Sequence, residues 1–369
     1  MTRESQGQGS AIQPPARESF GTGRDGETVY RYHLSNAAGM AVAIMGYGAS
    51  INQVVVPDGE GVPRSVVLGF PKLADYLAPH PRLGAIMGRY GNRIGGARFE
   101  LDGREYHLTV NEGKNTIHGG NRGFDRWTWR EVELGHGPEG SRVVLEHRSP
   151  KGEEGFPGTV TVRVMYTVTP ASELCIDYFA TTDEPTVLNL TNHAYFNLSG
   201  EGSGNIFDHE LVIFADSFTP VGHDLLPTGE IHDVTGTPFD FRIATPIGAR
   251  IRQGHEQLVR GKGYDHNYVL NKPSGAAAEQ PVHAARLRSP KTGIVMDTYT
   301  TEPGVQLHTG NVLTGAHVGH SGSTYRQSDG VCLETQKFPD TPNRPNFPSC
   351  VLRPGAPLES RTIYQFRTS

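Results

Sequence analysis

The sequence predicts an all-β fold, a single large domain of mainly antiparallel strands. Three observations carry that expectation. Apolar and β-branched residues recur with a period of two, as in TVTVRVMYTV at 159–168, and that period places alternate side chains on one face of a sheet. Glycine and proline are abundant, 46 and 26 of 369 residues, which suits short strands joined by many turns. Helical periodicity is nearly absent: only residues 71–77 resemble a helix, and a short one.

Along the chain, residues 1–18 (MTRESQGQGSAIQPPARE) are polar and read as a flexible tail, leaving 19–369 as the folded domain. Residues 27–34 are strand-like. Residues 37–56 are apolar-rich but carry Gly39, Gly46, Gly48, Asn52 and Gln53. A membrane helix needs about 20 nearly uninterrupted apolar residues, so strands are expected there instead. Phe99, Leu101 and Tyr106, Leu108 flank Asp102-Gly103, a hairpin signal because glycine accepts the positive φ of such turns. Residues 173–179, 210–214 and 362–366 alternate like 159–168. Lys291-Thr-Gly293 reads as a turn between strands at 284–288 and 294–299. The stretch NKPSGAAAEQ at 271–280 reads as an exposed insertion between two strands. No composition shift or fixed-period repeat divides the chain.

Lys plus Arg number 34 and Asp plus Glu 39, a net charge of −5 with His neutral. There is no basic excess to attract phosphate backbones or anionic lipid, so nucleic-acid and membrane partners are disfavoured. Cys175, Cys332 and Cys350 are far apart, odd in number and without a CxxC pair. They suggest neither a disulfide framework nor a cysteine zinc site, and a reducing, cytoplasmic setting fits. The polar N-terminus has no apolar stretch of the signal-peptide kind, so the sequons at Asn189 and Asn197 read as chance matches.

Three signals invite chemistry and have plainer explanations. Residues 21–26 match GxGxxG, but a dinucleotide site needs a strand before and a helix after. Here a polar tail precedes and a strand follows, so a turn is expected. His317 and His320 have the spacing of two metal ligands, yet no third ligand lies nearby in sequence, and surface histidines are the better reading. Trp127 and Trp129 alternate as sugar-stacking rings would, and core packing explains them equally well.

Four segments place polar, titratable residues inside β-like apolar stretches. The first is Gly88-Arg-Tyr-Gly-Asn92-Arg93-Ile94, with Asn111 to His118-Gly-Gly120 and Gly123-Phe-Asp125 after it. The second is Asn189-Leu-Thr-Asn192-His193-Ala-Tyr195-Phe-Asn197-Leu. The third is Gly263-Tyr-Asp265-His-Asn-Tyr268. The fourth is Pro303-Gly-Val-Gln306 with Cys332-Leu-Glu334-Thr-Gln-Lys-Phe-Pro-Asp340. Burying such groups without partners costs roughly 2–7 kcal/mol each, so they satisfy one another or meet a polar ligand. Singly, His193 reads as a core histidine, Glu334 as solvent-facing, Asp265 as a turn former and Arg93 as one side of an ion pair. Four such segments in one chain favour a site.

In order and spacing, from about Phe20 to Phe366, these segments resemble the galactose mutarotase (aldose 1-epimerase) family. The linking phrases Glu154-Gly-Phe-Pro-Gly158, Pro227-Thr-Gly-Glu-Ile231 and Gly236-Thr-Pro-Phe-Asp-Phe-Arg242 fit as well. The resemblance implies the family's β-supersandwich fold and a cofactor-free, metal-free isomerase that interconverts the anomers of a free monosaccharide. Carried over by position, it makes Glu334 the general base and His193 the general acid. Asn92, Arg93, His118, Tyr195, Asp265 and Gln306 then hold the sugar hydroxyls and ring oxygen. The chain departs from the family pattern at His308, where an aromatic residue is usual, and at Ala356-Pro-Leu358, where a Tyr commonly follows Pro-Gly. Beyond Arg93 the motif segments show no cluster of cations of the kind a sugar phosphate would need.

Overall fold

The computed structural model describes residues 14–272 and 280–369. Its main sheet has nine strands, every neighbouring pair antiparallel. Their order is Arg130–Gly137, Gly140–Ser149, Val160–Val168, Glu173–Thr182, Leu358–Thr368, Ile294–Thr300, Val282–Arg288, Glu210–Ile213 and Thr245–Pro246. The period-two reading of residues 159–168 is visible directly. Val160, Val162, Val164, Tyr166 and Val168 are buried, whereas Thr161, Arg163 and Met165 face outward. Each apolar side chain withdrawn from water contributes roughly 1.5–3 kcal/mol, the main force holding a sheet on its neighbours.

Five two-stranded sheets and two five-stranded antiparallel ones accompany it among the described residues. One is a meander of Ala16–Thr22, Thr28–Ser35, Ala41–Met45, Ser50–Pro57 and Pro63–Ser65. The other runs His232–Asp233, Ser217–Phe218, Asp265–Val269, Gly304–His308 and Cys332–Gln336. Tyr32 and Val42 of the meander, Val162 and Tyr364 of the main sheet, and Tyr268, Val305 and Leu333 of the second small sheet share one apolar core. The Tyr364 hydroxyl donates to the Leu333 carbonyl at 3.2 Å, and Thr335 and Thr362 join hydroxyls at 2.6 Å. The second small sheet therefore turns one face to the core and leaves the other for polar residues. This is the expected β-supersandwich.

The hairpin at Asp102-Gly103 forms as read, with φ of 53° and 75° at the two turn residues between Arg98–Leu101 and Arg104–His107. The short helix is Leu73–Leu77. Two expectations need correction. Residues 16–18 belong to the strand Ala16–Thr22 and not to a tail. There Arg17 pairs with Glu131 at 2.6 Å, and Glu18 with Arg31 and His33 at 2.5 and 3.0 Å. The strand is held by its backbone ladder and by charge pairs, so its sequence carries no apolar pattern. The remaining tail residues 1–13, like 273–279 of the expected insertion, lie outside the described residues. A second helix, Glu256–Gly261, was not expected. It buries Gln257 and Leu258, His255 caps its start, and Lys262 ends it with a φ of 56°. At six residues it is too short to display a helical period. No helix among the described residues is long and apolar enough to cross a membrane.

Candidate active site

Cross-strand partners share a face of a sheet. In the second small sheet, Asp265 pairs with His308 and His308 with Cys332, while Asn267 pairs with Gln306 and Gln306 with Glu334. Two polar rungs, Asp265–His308–Cys332 and Asn267–Gln306–Glu334, thus project from the side opposite the core. The intervening residues Tyr264, His266 and Tyr268 point the other way. The hydroxyls of Tyr264 and Tyr268 donate to the carbonyls of Pro238 and Phe239, and His266 Nε2 meets Gln257 Oε1 at 3.1 Å. Of the Gly-Tyr-Asp-His-Asn-Tyr segment, Asp265 alone reaches the cavity described below.

Facing these rungs are residues from two short strand pairs. Arg93–Ile94 pairs with Thr116–Ile117, and Thr191–Asn192 with Ile86–Met87. Asn192 bends the chain, its Nδ2 donating to the Gly84 carbonyl at 2.7 Å and its Oδ1 accepting from Ala194 N at 3.0 Å. His193 is pinned between, its N donating to Ala85 O and its O accepting from Gly84 N. Asn92 and His118 hold left-handed φ of 63° and 52°. Asn92 N donates to His118 Nδ1 at 3.1 Å, so Nδ1 is an acceptor and His118 carries its proton on Nε2. The next residue, Gly119, approaches Gly88 so closely that a Cβ there would stand 1.9 Å from its carbonyl oxygen.

Between the two walls lies a cavity of about 240 Å³, lined by Asn92, Arg93, His118, His193, Tyr195, Asp265, His308 and Glu334 together with Arg82 and Glu112. Drug-sized ligands occupy roughly 300–1,000 Å³, so this volume suits a small polar molecule. Of the eight residues expected to form the site, seven line this cavity. Gln306 does not, and instead donates from Nε2 to Asp265 Oδ1 at 2.7 Å. His193 Nε2 stands 3.7 Å from Glu334 Oε1. The His193 ring stacks on Tyr195 at 5.0 Å and meets His118 and His308 edge-on at 5.4 and 5.8 Å.

Charge in the cavity is tightly arranged. Arg93 grips Glu112 through Nε and Nη2 at 2.5 and 2.8 Å and stands 3.9 Å from Asp265. Burial opposes the Asp265 charge, but His308, Arg93 and the Gln306 amide outweigh it and hold the carboxyl well below the usual range. At 3.6 Å the contact between His308 Nδ1 and Asp265 is electrostatic and too long for a hydrogen bond. Burial, reinforced by the Asp265 charge, pushes Glu334 well above an ordinary carboxyl. Burial lowers His193, and the neighbouring His308 and Arg82 add to the effect. Burial likewise keeps His118 neutral. Glu334 Oε2 is buried with no hydrogen-bond partner among the described residues, as is His308 Nδ1. Such orphans mark places where a bound molecule would complete the network.

Arg82 was missed by sequence reasoning. It lies outside the recognisable segments, in a left-handed conformation with φ of 59°. Its Nε makes no hydrogen bond among the described residues and stands 3.7 Å from Asp125. The chain thus brings a second guanidinium to the cavity that the motif segments did not reveal. Conversely, Arg89, from the same segment as Arg93, is structural. Its buried guanidinium donates to Ser149 Oγ and to the carbonyls of Ser149, Pro150, Pro157 and Gly158, which accounts for the Glu-Gly-Phe-Pro-Gly phrase. The GxGxxG stretch is a turn, closed by Gly23 N donating to Glu27 O at 2.8 Å. His317 and His320 are half-buried, not surface residues: His317 packs on Phe70, and His320 Nε2 lies 3.3 Å from the Asn52 carbonyl. Trp129 is a core residue, and Trp127 packs against the same core. The second departure from the family pattern, 356–358, leads into the strand Leu358–Thr368 and is not part of the cavity.

Among the described residues, His193, Cys332 and Glu334 offer one ligand atom each within 4.8 Å of one another. The imidazole shows Nδ1 to the thiol and Nε2 to the carboxylate. The other two groups are arranged around the ring, not around a common centre.

The family model described as aldose 1-epimerase matches residues 30–365. The galactose mutarotase of Bos taurus is 43% identical over 339 residues, covering 92% of this chain and 94% of that protein. The aldose 1-epimerase of Escherichia coli (strain K12) is 36% identical over 344 residues, covering 93% and 96%. The crystal structure of galactose 1-epimerase from Lactobacillus acidophilus NCFM superposes with a TM-score of 0.85 at 26% identity, covering 97% of this chain and 100% of that one.

Proposed function

Since the chain belongs to the aldose 1-epimerase family, we propose that it interconverts the α and β anomers of free aldoses such as galactose or glucose, with Glu334 and His193 moving the protons. One observation supports these roles above all: Glu334 Oε1 and His193 Nε2 face each other at 3.7 Å, both buried beside a cavity walled with hydrogen-bonding groups.

The chemistry follows from what ring opening requires. Glu334, as carboxylate, takes the proton of the C1 hydroxyl. His193, as imidazolium, gives a proton to the ring oxygen, and the C1–O5 bond breaks to leave an open-chain aldehyde. Rotation about C1–C2 presents the other carbonyl face. The O5 hydroxyl then attacks C1, returning its proton to His193 while Glu334 returns the other to the C1 oxygen. Atoms and electrons balance within the sugar. Each well-placed acid or base contributes roughly 10²–10⁴-fold.

The pair must hold one proton in total for this cycle. Burial favours the neutral form, a carboxylic acid beside an imidazole, while Arg93 and Arg82 favour the carboxylate. The two forms are tautomers of one protonation state, so the pair titrates as a unit. Arg93 and the His118 Nε2–H offer donors to sugar oxygens, Asp265 offers acceptors, and Asn92 and Tyr195 complete the wall. Gln306 acts through Asp265, which it orients.

Polarimetry of freshly dissolved α-anomers of several aldoses, with and without the protein, tests the reading. Faster approach to the anomeric equilibrium supports it. Sugar binding with an unchanged rate would make the protein a binding module and refute it.

A further inference from the structure

We propose that Cys332 is a positioning residue that fixes which nitrogen of His193 exchanges protons. This rests on the acid–base reading of His193 and Glu334 above. Cys332 and Glu334 are two residues apart on one strand and so share a face, and the His193 ring bridges them. Cys332 Sγ lies 3.5 Å from Nδ1, and Glu334 Oε1 lies 3.7 Å from Nε2. The pleat of a single strand therefore sets a thiol at one edge of the imidazole and a carboxyl at the other.

An imidazole that gives and retakes a proton at Nε2 must keep its Nδ1 proton throughout. The cation carries both protons, and the working neutral form has Nδ1–H with a bare Nε2. A sulfur accepting from Nδ1–H satisfies both states, so nothing need rearrange during turnover. Cys332 is fully buried, and burial, aided by the Glu334 and Asp265 charges, pushes its thiol well above the ordinary range. It stays a neutral thiol, and sulfur is a weak acceptor. A carboxylate in its place would orient the ring equally well but would favour the imidazolium strongly. The groups that face the ring already oppose one another: the backbone of His193 itself and Asp265 favour its charge, His308 and Arg82 disfavour it, His118 and Tyr195 pack against it, and Glu334 shares its proton. A weak partner leaves that balance undisturbed while holding the ring.

The test combines nitrogen-15 NMR of the histidine side chains with kinetics of Cys332→Ala and Cys332→Ser. In the wild type, neutral His193 should carry its proton on Nδ1. In Cys332→Ala a buried Nδ1–H would lose its sulfur partner, so the Nε2–H tautomer should become populated. Then kcat should fall about tenfold, the loss expected of one hydrogen bond, with KM changed little and the acid limb of the pH profile displaced. Cys332→Ser keeps an acceptor at that edge and should recover most of the rate. An Nε2–H tautomer in the wild type would overturn the proposal, as would a serine variant as slow as the alanine one, which would show packing to be the cause. If the wild type itself fails to speed anomer exchange, the reading above fails, while the tautomer measurement still decides the role of the thiol.

Discussion

The carboxyl of Glu334 and the imidazole of His193 meet at 3.7 Å, Oε1 to Nε2, and the second carboxyl oxygen has no hydrogen-bond partner among the described residues. The distance is too long for a direct hydrogen bond. A sugar between them would receive one proton as it gives another. Glu334→Gln keeps the size and an oxygen acceptor but cannot take a proton, and His193→Ala removes the opposite partner. Each should lower the mutarotation rate by roughly 10²–10⁴, with sugar binding by calorimetry retained in Glu334→Gln. The double variant should lose far less than the product of the two, because both groups act in one step. Near-wild-type turnover by Glu334→Gln would end this assignment.

The pH dependence follows from the direction of each shift. The proposed cycle needs the singly protonated pair. Burial lowers His193, so the second proton is added below the ordinary histidine range. Burial and Asp265 raise Glu334, so the last proton leaves above the ordinary carboxyl range. The profile of kcat/KM should be a bell with a widened top. Asp265→Asn removes a charge that raises both groups, so both limbs should move to lower pH while KM rises. Limbs that stay in place in that variant would show that Asp265 does not act on the pair.

Glu334 also bears on stability, independently of the role proposed for it in catalysis. Its pKa is raised on folding, so between the unfolded and folded values the native state holds a proton the unfolded chain has lost. Stability therefore falls as pH rises through that interval. Glu334→Gln removes the effect. Thermal melts should show the variant gaining on the wild type at pH 7.5 relative to pH 4, and a constant difference between the two pH values would refute this.

His308 lowers His193 and helps to hold Asp265 down. In His308→Phe the acid limb should move to higher pH, with the alkaline limb, set by Glu334, nearly fixed. Because His308 lines the cavity, the ratio of kcat/KM for galactose and glucose should change as well. An unaltered acid limb and sugar ratio would remove His308 from the working site.

Deleting residues 1–18 should lower the melting temperature measurably. It cuts into the strand Ala16–Thr22 and severs the Arg17–Glu131 and Glu18–Arg31 pairs. Scanning calorimetry on the truncated protein checks this, and an unchanged transition would show that the strand begins, in effect, after Glu18.

The sequence made most of the fold legible because hairpins and two-sided strands are local patterns. Val160–Val168 alternates and Asp102-Gly103 turns, and nothing distant is needed to read either. The strand Ala16–Thr22 and the helix Glu256–Gly261 were hidden for the converse reason: charge pairing holds one and end-capping the other, and neither has an apolar rhythm. The site shows the same division. His193, Glu334 and Asp265 stand out as polar residues within apolar runs. Arg89 and Arg93 look alike in sequence, yet only tertiary contacts send one to five interior acceptors and the other to the cavity. Arg82 has no signal of its own, since a left-handed turn delivers it.

The strand Leu358–Thr368 lies between Glu173–Thr182 and Ile294–Thr300, at the middle of the nine-stranded sheet. It is the last of the nine to be synthesised and the only one bridging the two groups of strands beside it. Until it is made, the inner edges Glu173–Thr182 and Ile294–Thr300 lack the strand that pairs with both, and an unpaired edge is a template for association. The cavity residues have all left the ribosome by then, but the Tyr364 and Thr362 contacts behind Leu333 and Thr335 arrive only with this strand. Completion of the wall behind Leu333 and Thr335 is thereby coupled to synthesis of Leu358–Thr368, so a chain stopped before that strand would lack these contacts and be prone to aggregate.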